Sequence, residues 1–379
     1  MGPVNSVGTN QYIRRTSRRP QPHSPSDLIG QASAKREPKR PCGEVWGTTC
    51  SVLVGPPGWS HDSEQHTLEQ RNFATLQSFP PRSLLAQLAR DPAVAVRANV
   101  AYHRQCPDSS LQQLAKDRSP RVRAAAASNP NIDGSTLTGL AADSEQKVRY
   151  KAAGNLNCPP HLLAQLAQDP NTEIRFNVAM NSNTPMESLE LLRHDSNQNT
   201  RFNVYDKHRG QIPVNWLREA SNDPGAGVRW AAASNIRCPR NLLGPLSRDT
   251  NGNVRKTVAV HPKCPPGILL TLTTDRDPEV RSAAAARCAD PGHLKELSRD
   301  TKPVRESVAA NPACPPEVLD GLSRDNSVLV RLNVATNFNC PPSVLEQMLL
   351  HETEDRIKYA AARNPNLPAA VLAMWQLVH

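Results

Sequence analysis

Apolar residues along most of the chain recur in two alternating patterns. One is a cluster of leucines at spacings of one and three, as in Leu162, Leu163 and Leu166. The other is a run of small or β-branched residues, as in Ile174, Val178 and Ala179. Spacings of three and four put side chains on one helix face, so each pattern predicts a short helix with a single buried stripe. One copy of both fills the 26 residues from Cys158 to Asn183, CPPHLLAQLAQDPNTEIRFNVAMNSN. Proline suits a first helical turn, where its missing N–H costs nothing, so Pro-Pro marks the start of the leucine helix. Asn-Pro ends the second helix at Asn129-Pro130, Asn311-Pro312 and Asn364-Pro365. Asparagine tolerates a left-handed cap, and proline disfavours helical geometry in the residue before it. Helices of about two to three turns cannot stand alone in water. Neighbouring units must therefore bury one another's apolar faces.

The polar positions repeat with the same period. An acid is followed six residues later by an arginine in Asp91/Arg97, Asp117/Arg123, Asp143/Arg149, Asp169/Arg175, Asp195/Arg201, Asp223/Arg229, Asp249/Arg255 and Asp275/Arg281. Asp300/Arg305, Asp325/Arg331 and Glu352/Lys358 continue the series with small changes of spacing. Such a repeat predicts an all-α solenoid of about eleven to twelve two-helix units. Each pair is expected to bridge within its unit and to the next, as a ladder of partly buried bidentate contacts. These arginines are therefore set aside from any phosphate-reading stripe. The solenoid is placed at residues 63–379, with degenerate caps at both ends. Arg71 lies 26 residues ahead of Arg97 but has no acid at the matching place. Val371, Leu372 and Trp375 stand where the leucines of one more first helix would fall.

Composition adds a second region. The chain has 379 residues and a formal charge of +10, with 38% hydrophobic and 4% aromatic residues, which fits a thin core of Leu, Val and Ala. The first 60 residues hold eight Lys/Arg against three acids, half of that charge. Residues 1–62, basic and rich in Pro and Ser, are expected to be disordered. Within them Arg14, Arg15, Arg18 and Arg19 could touch phosphates or an acidic partner, or simply solubilise the chain. No run of 18 apolar residues predicts a membrane span, and no secretory segment is evident, so the expected compartment is the cytoplasm.

Seven of the nine cysteines take one place in the unit: Cys106, Cys158, Cys238, Cys264, Cys288, Cys314 and Cys340. Units stack about 10 Å apart, whereas a disulfide needs Cα atoms within about 7 Å. Buried free thiols in a reducing compartment are expected, and neither metal nor cofactor. Cys42 and Cys50 are too few for a metal site. No HExxH, GxSxG, Walker or Rossmann pattern occurs, and catalytic residues are not expected.

The pattern Asn-Pro-x-Cys-Pro-Pro, seen as Asn311-Pro312-Ala313-Cys314-Pro315-Pro316 and continued through Leu322, Asp325, Arg331, Val334 and Ala335, resembles the leucine-rich repeat variant family. The likeness covers roughly residues 64–379. It implies a right-handed superhelix whose units pair an α-helix with a second, often 3₁₀, helix. The Asp-to-Arg spacing is also similar to the ladder of HEAT repeats. Some members carry an N-terminal iron–sulfur domain with four cysteines, which Cys42 and Cys50 alone do not match. The family implies no shared catalytic residues.

Differences between units point to a binding surface. The residue after the arginine is aromatic in four consecutive units: Tyr150, Phe176, Phe202 and Trp230, and again at Tyr359. Rings about 10 Å apart could receive an extended peptide or nucleotide bases, or could pack against the neighbouring first helix. Five residues further on stand His103, Lys207, His261 and Arg287, where the other units mostly use Asn. The unit between Arg201 and Arg229 is two residues longer than the period, and its sequence there includes Lys207 and Arg209. Insertions in solenoids emerge as loops on the binding side. The expected function is a non-catalytic scaffold offering a concave surface to a protein or peptide, with nucleic acid as the alternative partner, helped by the basic tail.

Overall fold

The computed structural model describes residues 68–76 and 80–378. The expectations for the basic tail, for Arg14, Arg15, Arg18 and Arg19, and for Cys42 and Cys50 lie outside the described residues. The described chain is an all-α solenoid of 24 helices, α1 (Leu68–Leu76) to α24 (Ala369–Val378), numbered in chain order. Even-numbered helices carry the leucines and odd-numbered ones the ladder arginine. The second helix of each unit is α-helical rather than 3₁₀ among the described residues, which departs from what the family likeness implied.

One unit shows why these residues fold this way. Helix α8 (Pro160–Leu166) begins at its first proline, after Pro159 in extended geometry, and buries Leu162, Leu163 and Leu166. Helix α9 (Thr172–Met180) starts behind Asn171, whose side chain accepts the N–H of Glu173, and buries Ile174, Val178 and Ala179. The asparagine that ends it is not left-handed: Asn181 has φ −78 and ψ 126. It ends the helix through its side chain instead. Its Nδ2 donates to the carbonyls of Ala153 (2.9 Å) and Asn155 (2.8 Å) in the preceding unit. Its Oδ1 accepts the N–H of Asn183. Asn129, Asn155, Asn337 and Asn364 repeat this, so that otherwise orphaned carbonyls at each helix end are satisfied by the following unit.

The arginine ladder forms a second spine, with its register moved forward by one unit. Arg175 grips Asp195, twenty residues ahead, through Nε (2.5 Å) and Nη2 (3.2 Å). Its own Asp169, six residues back, offers only the backbone carbonyl, to Nη1 at 2.8 Å. Eleven such bridges run from Arg71–Asp91 to Arg331–Glu352 among the described residues. Arg71 thus belongs to the ladder despite lacking an acid of its own. Lys358, at the far end, comes no nearer an acid than 3.8 Å, to Asp355. The guanidinium of Arg123 holds Asp143 below the usual carboxylate range, with the N–H of Glu145 helping against the opposing effect of burial.

The seven ladder-unit cysteines are free thiols, buried except for half-buried Cys264. Burial pushes Cys158 up to about 11 and Cys314 up to about 12, so neither is a thiolate near neutral pH. At the C-terminal end, Val371, Leu372 and Trp375 of α24 pack on the last core cluster. Trp375 meets Tyr359 edge-on, with ring centroids 5.4 Å apart.

Consecutive odd helices, such as α7 (Gln146–Ala153) and α9, pack directly on one another, while even helices touch their neighbours only sparsely. The odd helices therefore form the more closely packed wall of the stack.

Candidate functional site

On each odd helix the residue before the arginine and those three and four after it are committed to the core. Residues two before, one after and five after the arginine share the opposite stripe, away from that core. In α7, α9, α11 (Gln198–Lys207) and α13 (Ala226–Ser234) the middle of that stripe is Tyr150, Phe176, Phe202 and Trp230. All four are half-buried, neither sealed in the core nor fully exposed. Each of these helices packs on the next, so the rings form one row across four units.

Phe202 and Trp230 are closer than the spacing of units predicts, with centroids 6.1 Å apart and planes 35° from parallel. Gly227 leaves the edge of Phe202 uncovered, since a side chain there would sit 3.5 Å from its ring. Cations cap both ends of the row: Lys151 lies 5.6 Å from the centre of the Tyr150 ring and Arg209 5.6 Å from that of Trp230.

The lengthened unit does not throw out a loop, contrary to expectation. One extra residue extends α11 to ten residues, and the other enlarges the turn before α12 (Trp216–Ala220). His208, not Lys207, fills the asparagine place, its Nε2 3.0 Å from the Ala179 carbonyl. Burial holds the His208 pKa below its ordinary value. Lys207 points to solvent, 3.3 Å from Asp206, and Arg209 is paired with the same carboxylate. His261 and Arg287 are likewise ladder members, bonded to the carbonyls of Asn235 and of Ala259 and His261. They are structural substitutes for asparagine rather than groove residues.

Sequence reasoning missed how this unit is filled. Where other units place alanine four residues after the arginine, this one has Tyr205, which is 1% exposed. Beside it, Arg193 stacks 4.7 Å from the centre of the Trp216 ring and pairs with Glu190 and Glu219. The break in the alanine column was the available signal. Also missed were Tyr102, Met180 and Val260, at 67%, 42% and 53% exposure, which extend the apolar stripe five residues after the arginine. Following each ring by four residues would have found Met180.

Among the described residues no group of three or more His, Cys, Asp or Glu converges to hold a metal ion. No helix there is long and apolar enough to cross a membrane.

No protein-family model matches the chain. No curated protein matches it either. Among solved structures it is similar to one described as a leucine-rich repeat variant with a novel repetitive structural motif. Identity there is 26%, over 59% of this chain and 87% of that one, with a TM-score of 0.45. Importin β is similar at 11% identity over 74% of this chain and 44% of its own, with a TM-score of 0.32. A chain from a Kap95p–RanGDP complex gives 11% identity over 82% and 49%, with a TM-score of 0.37. The helices of the chain itself make it a helical-repeat solenoid, and these structures show it distantly similar to others of that kind, with no single family shown.

Proposed function

We propose that the chain is a non-catalytic scaffold whose odd-helix wall binds an extended segment of a protein partner across Tyr150, Phe176, Phe202 and Trp230. The observation that carries this reading is the unbroken row of half-buried rings on four adjacent helices, in a fold whose other regular positions are satisfied internally. Aromatic anchors supply much of the energy of protein interfaces once a partner covers them. The partly open edge of Phe202 beside Gly227 gives a partner side chain somewhere to enter. A nucleic-acid reading of the same row has less support, because of the two cations over its rings Arg209 is already paired with Asp206, which leaves Lys151 alone over Tyr150. A cytoplasmic location belongs to the same proposal, since seven free cysteines suit a reducing compartment.

Selection of displayed random peptides against the full chain tests the reading. The wild type should enrich a peptide family, and the paired change Phe176→Ala and Trp230→Ala should bind it at least about tenfold more weakly with folding intact. Equal binding by both proteins would remove the row from the proposal.

A further inference from the structure

The first two complete units carry a feature that the aromatic row does not use. Residues 80–127 hold eight Lys/Arg against three acids. The acids are already engaged. Asp91 and Asp117 are held by Arg71 and Arg97 at 2.6 and 2.7 Å, and Asp108 is drawn to Arg82 at 3.8 Å. Arg90 and Lys116 directly precede the ladder aspartates in the turns from α2 (Arg82–Leu88) to α3 (Val94–Tyr102) and from α4 (Asp108–Leu114) to α5 (Pro120–Ala127). Arg118 follows Asp117 in the second turn, and Arg121 lies in the first turn of α5. All four are exposed. Among the described residues none of the four side chains is engaged in an ion pair or a hydrogen bond. 

Equivalent turns elsewhere are different. The next four units place Ala142 and Ser144, Gln168 and Pro170, His194 and Ser196, and Asn222 and Pro224 there, with no lysine or arginine. Further on, Arg276 donates to the Thr250 carbonyl at 3.1 Å, and Arg324 pairs with Asp320 at 3.1 Å. These flanking cations are thus absent from the next four units, where Lys147 takes the place of Arg121, and in later units Arg248 and Arg299 stand singly before Asp249 and Asp300 while Arg276 and Arg324 are engaged. The first two units bring four such cations together.

We propose that this edge, formed by Arg90, Lys116, Arg118 and Arg121, is a second docking surface, and that its partner is the phosphate backbone of a nucleic acid. Three of the four are arginines, whose planar fork matches phosphate oxygens. Arg90 and Lys116 take the same place in successive units, so an extended polyanion can meet both turns at once. The four side chains offer charge without an aromatic among them, so contact is to backbone and independent of base sequence.

The test uses the full chain, wild type against a variant carrying Arg90→Gln, Lys116→Gln and Arg118→Gln. A control variant carries Arg240→Gln, Lys263→Gln and Lys295→Gln, the same loss of charge at exposed positions away from these turns. Fluorescence polarisation with labelled duplex DNA is followed from 50 to 200 mM salt, and the basic tail is present in every protein. The edge variant should bind at least about tenfold more weakly, with its salt slope smaller by about two to three and the control nearly unchanged. Unchanged binding by the edge variant, or equal loss in the control, would overturn the proposal. So would an edge variant that keeps its DNA binding but loses binding to vesicles of anionic lipid or to polyglutamate. Unaltered thermal melts establish that all three proteins are folded; should the triple variant melt early, Arg90→Gln and Lys116→Gln are read singly against the same criteria.

Discussion

The arginine ladder and the aromatic row are built from neighbouring residues of the same helices, Arg175 beside Phe176 and Arg229 beside Trp230, yet they are tied to the fold in opposite ways. Each ladder arginine is held at both ends: Arg229 grips Asp249 of the next unit at 2.5 and 2.8 Å and donates to the Asp223 carbonyl at 2.8 Å. Its hydrogen-bonding capacity is used up by the stack itself. Of the rings beside the ladder, Phe202 and Trp230 touch each other, Tyr150 and Trp230 each meet a cation, and all four stay half-buried. The ladder recurs from Arg71 to Arg331 because it joins units, and the row is confined to four because joining units does not require it. In a repeat protein, regularity marks what the stack needs and departure from it marks where something else is free to act.

The strongest way to break the ladder is Arg255→Ala. Arg255 is 5% exposed and bonds Asp275 twice at 2.7 Å, so the change strands a buried carboxylate. A loss of about 3–5 kcal/mol is expected in chemical denaturation. A loss within error of zero would mean that the ladder does not hold the units together.

The comparison sharpens at Tyr205. Tyr205→Ala restores the residue that other units use, yet it should destabilise by about 3 kcal/mol, because it empties the space beside Arg193 and Trp216. If denaturation shows a gain instead, the enlarged unit is strained rather than repacked.

The row should behave otherwise. Phe176→Ala with Trp230→Ala is expected to shift stability by no more than about 2 kcal/mol, since both rings are only half-buried, while binding of a selected peptide falls. A loss as large as that from Arg255→Ala would make the row core and erase the contrast.

The smallest effect is at His261, which stands where most units have asparagine and bonds the Asn235 carbonyl at 3.1 Å. Burial lowers its pKa from 6.5, with the charges of Lys263 and Arg287 adding to that against the Asn235 bond. Below pH 6.5 the unfolded chain therefore binds a proton that the folded chain resists. Its contribution to stability is full above that pH and is lost as pH falls. His261→Asn should leave stability near pH 7 little changed and reduce the decline between about pH 6.5 and 5, read from denaturation midpoints. An identical decline in both proteins would show that His261 does not contribute to it.

The two-helix unit, its period and its buried stripes were legible in the sequence because each depends on contacts within a few residues or one unit away. Pro159-Pro160 starts a helix wherever it occurs, and Leu162, Leu163 and Leu166 share a face by helical geometry alone. The cysteine column was legible for a similar reason, as stacked units hold one thiol each too far from the next to join. Three matters lay beyond such reasoning. Which acid each arginine takes was one: Asp169 and Asp195 lie six residues before and twenty after Arg175, and only the stacking of units brings the second to its Nε. How asparagine ends a helix was another, because the carbonyls that Asn181 satisfies belong to a neighbouring unit. The third was the long unit, where two added residues were absorbed separately into a helix and a turn, with His208 taking the ladder place and Tyr205 the space. Local propensity determines which segments are helices and which faces are apolar. The partners of a side chain that reaches across to the next unit depend on the rotation between units, and that rotation is set by the packing of the whole stack.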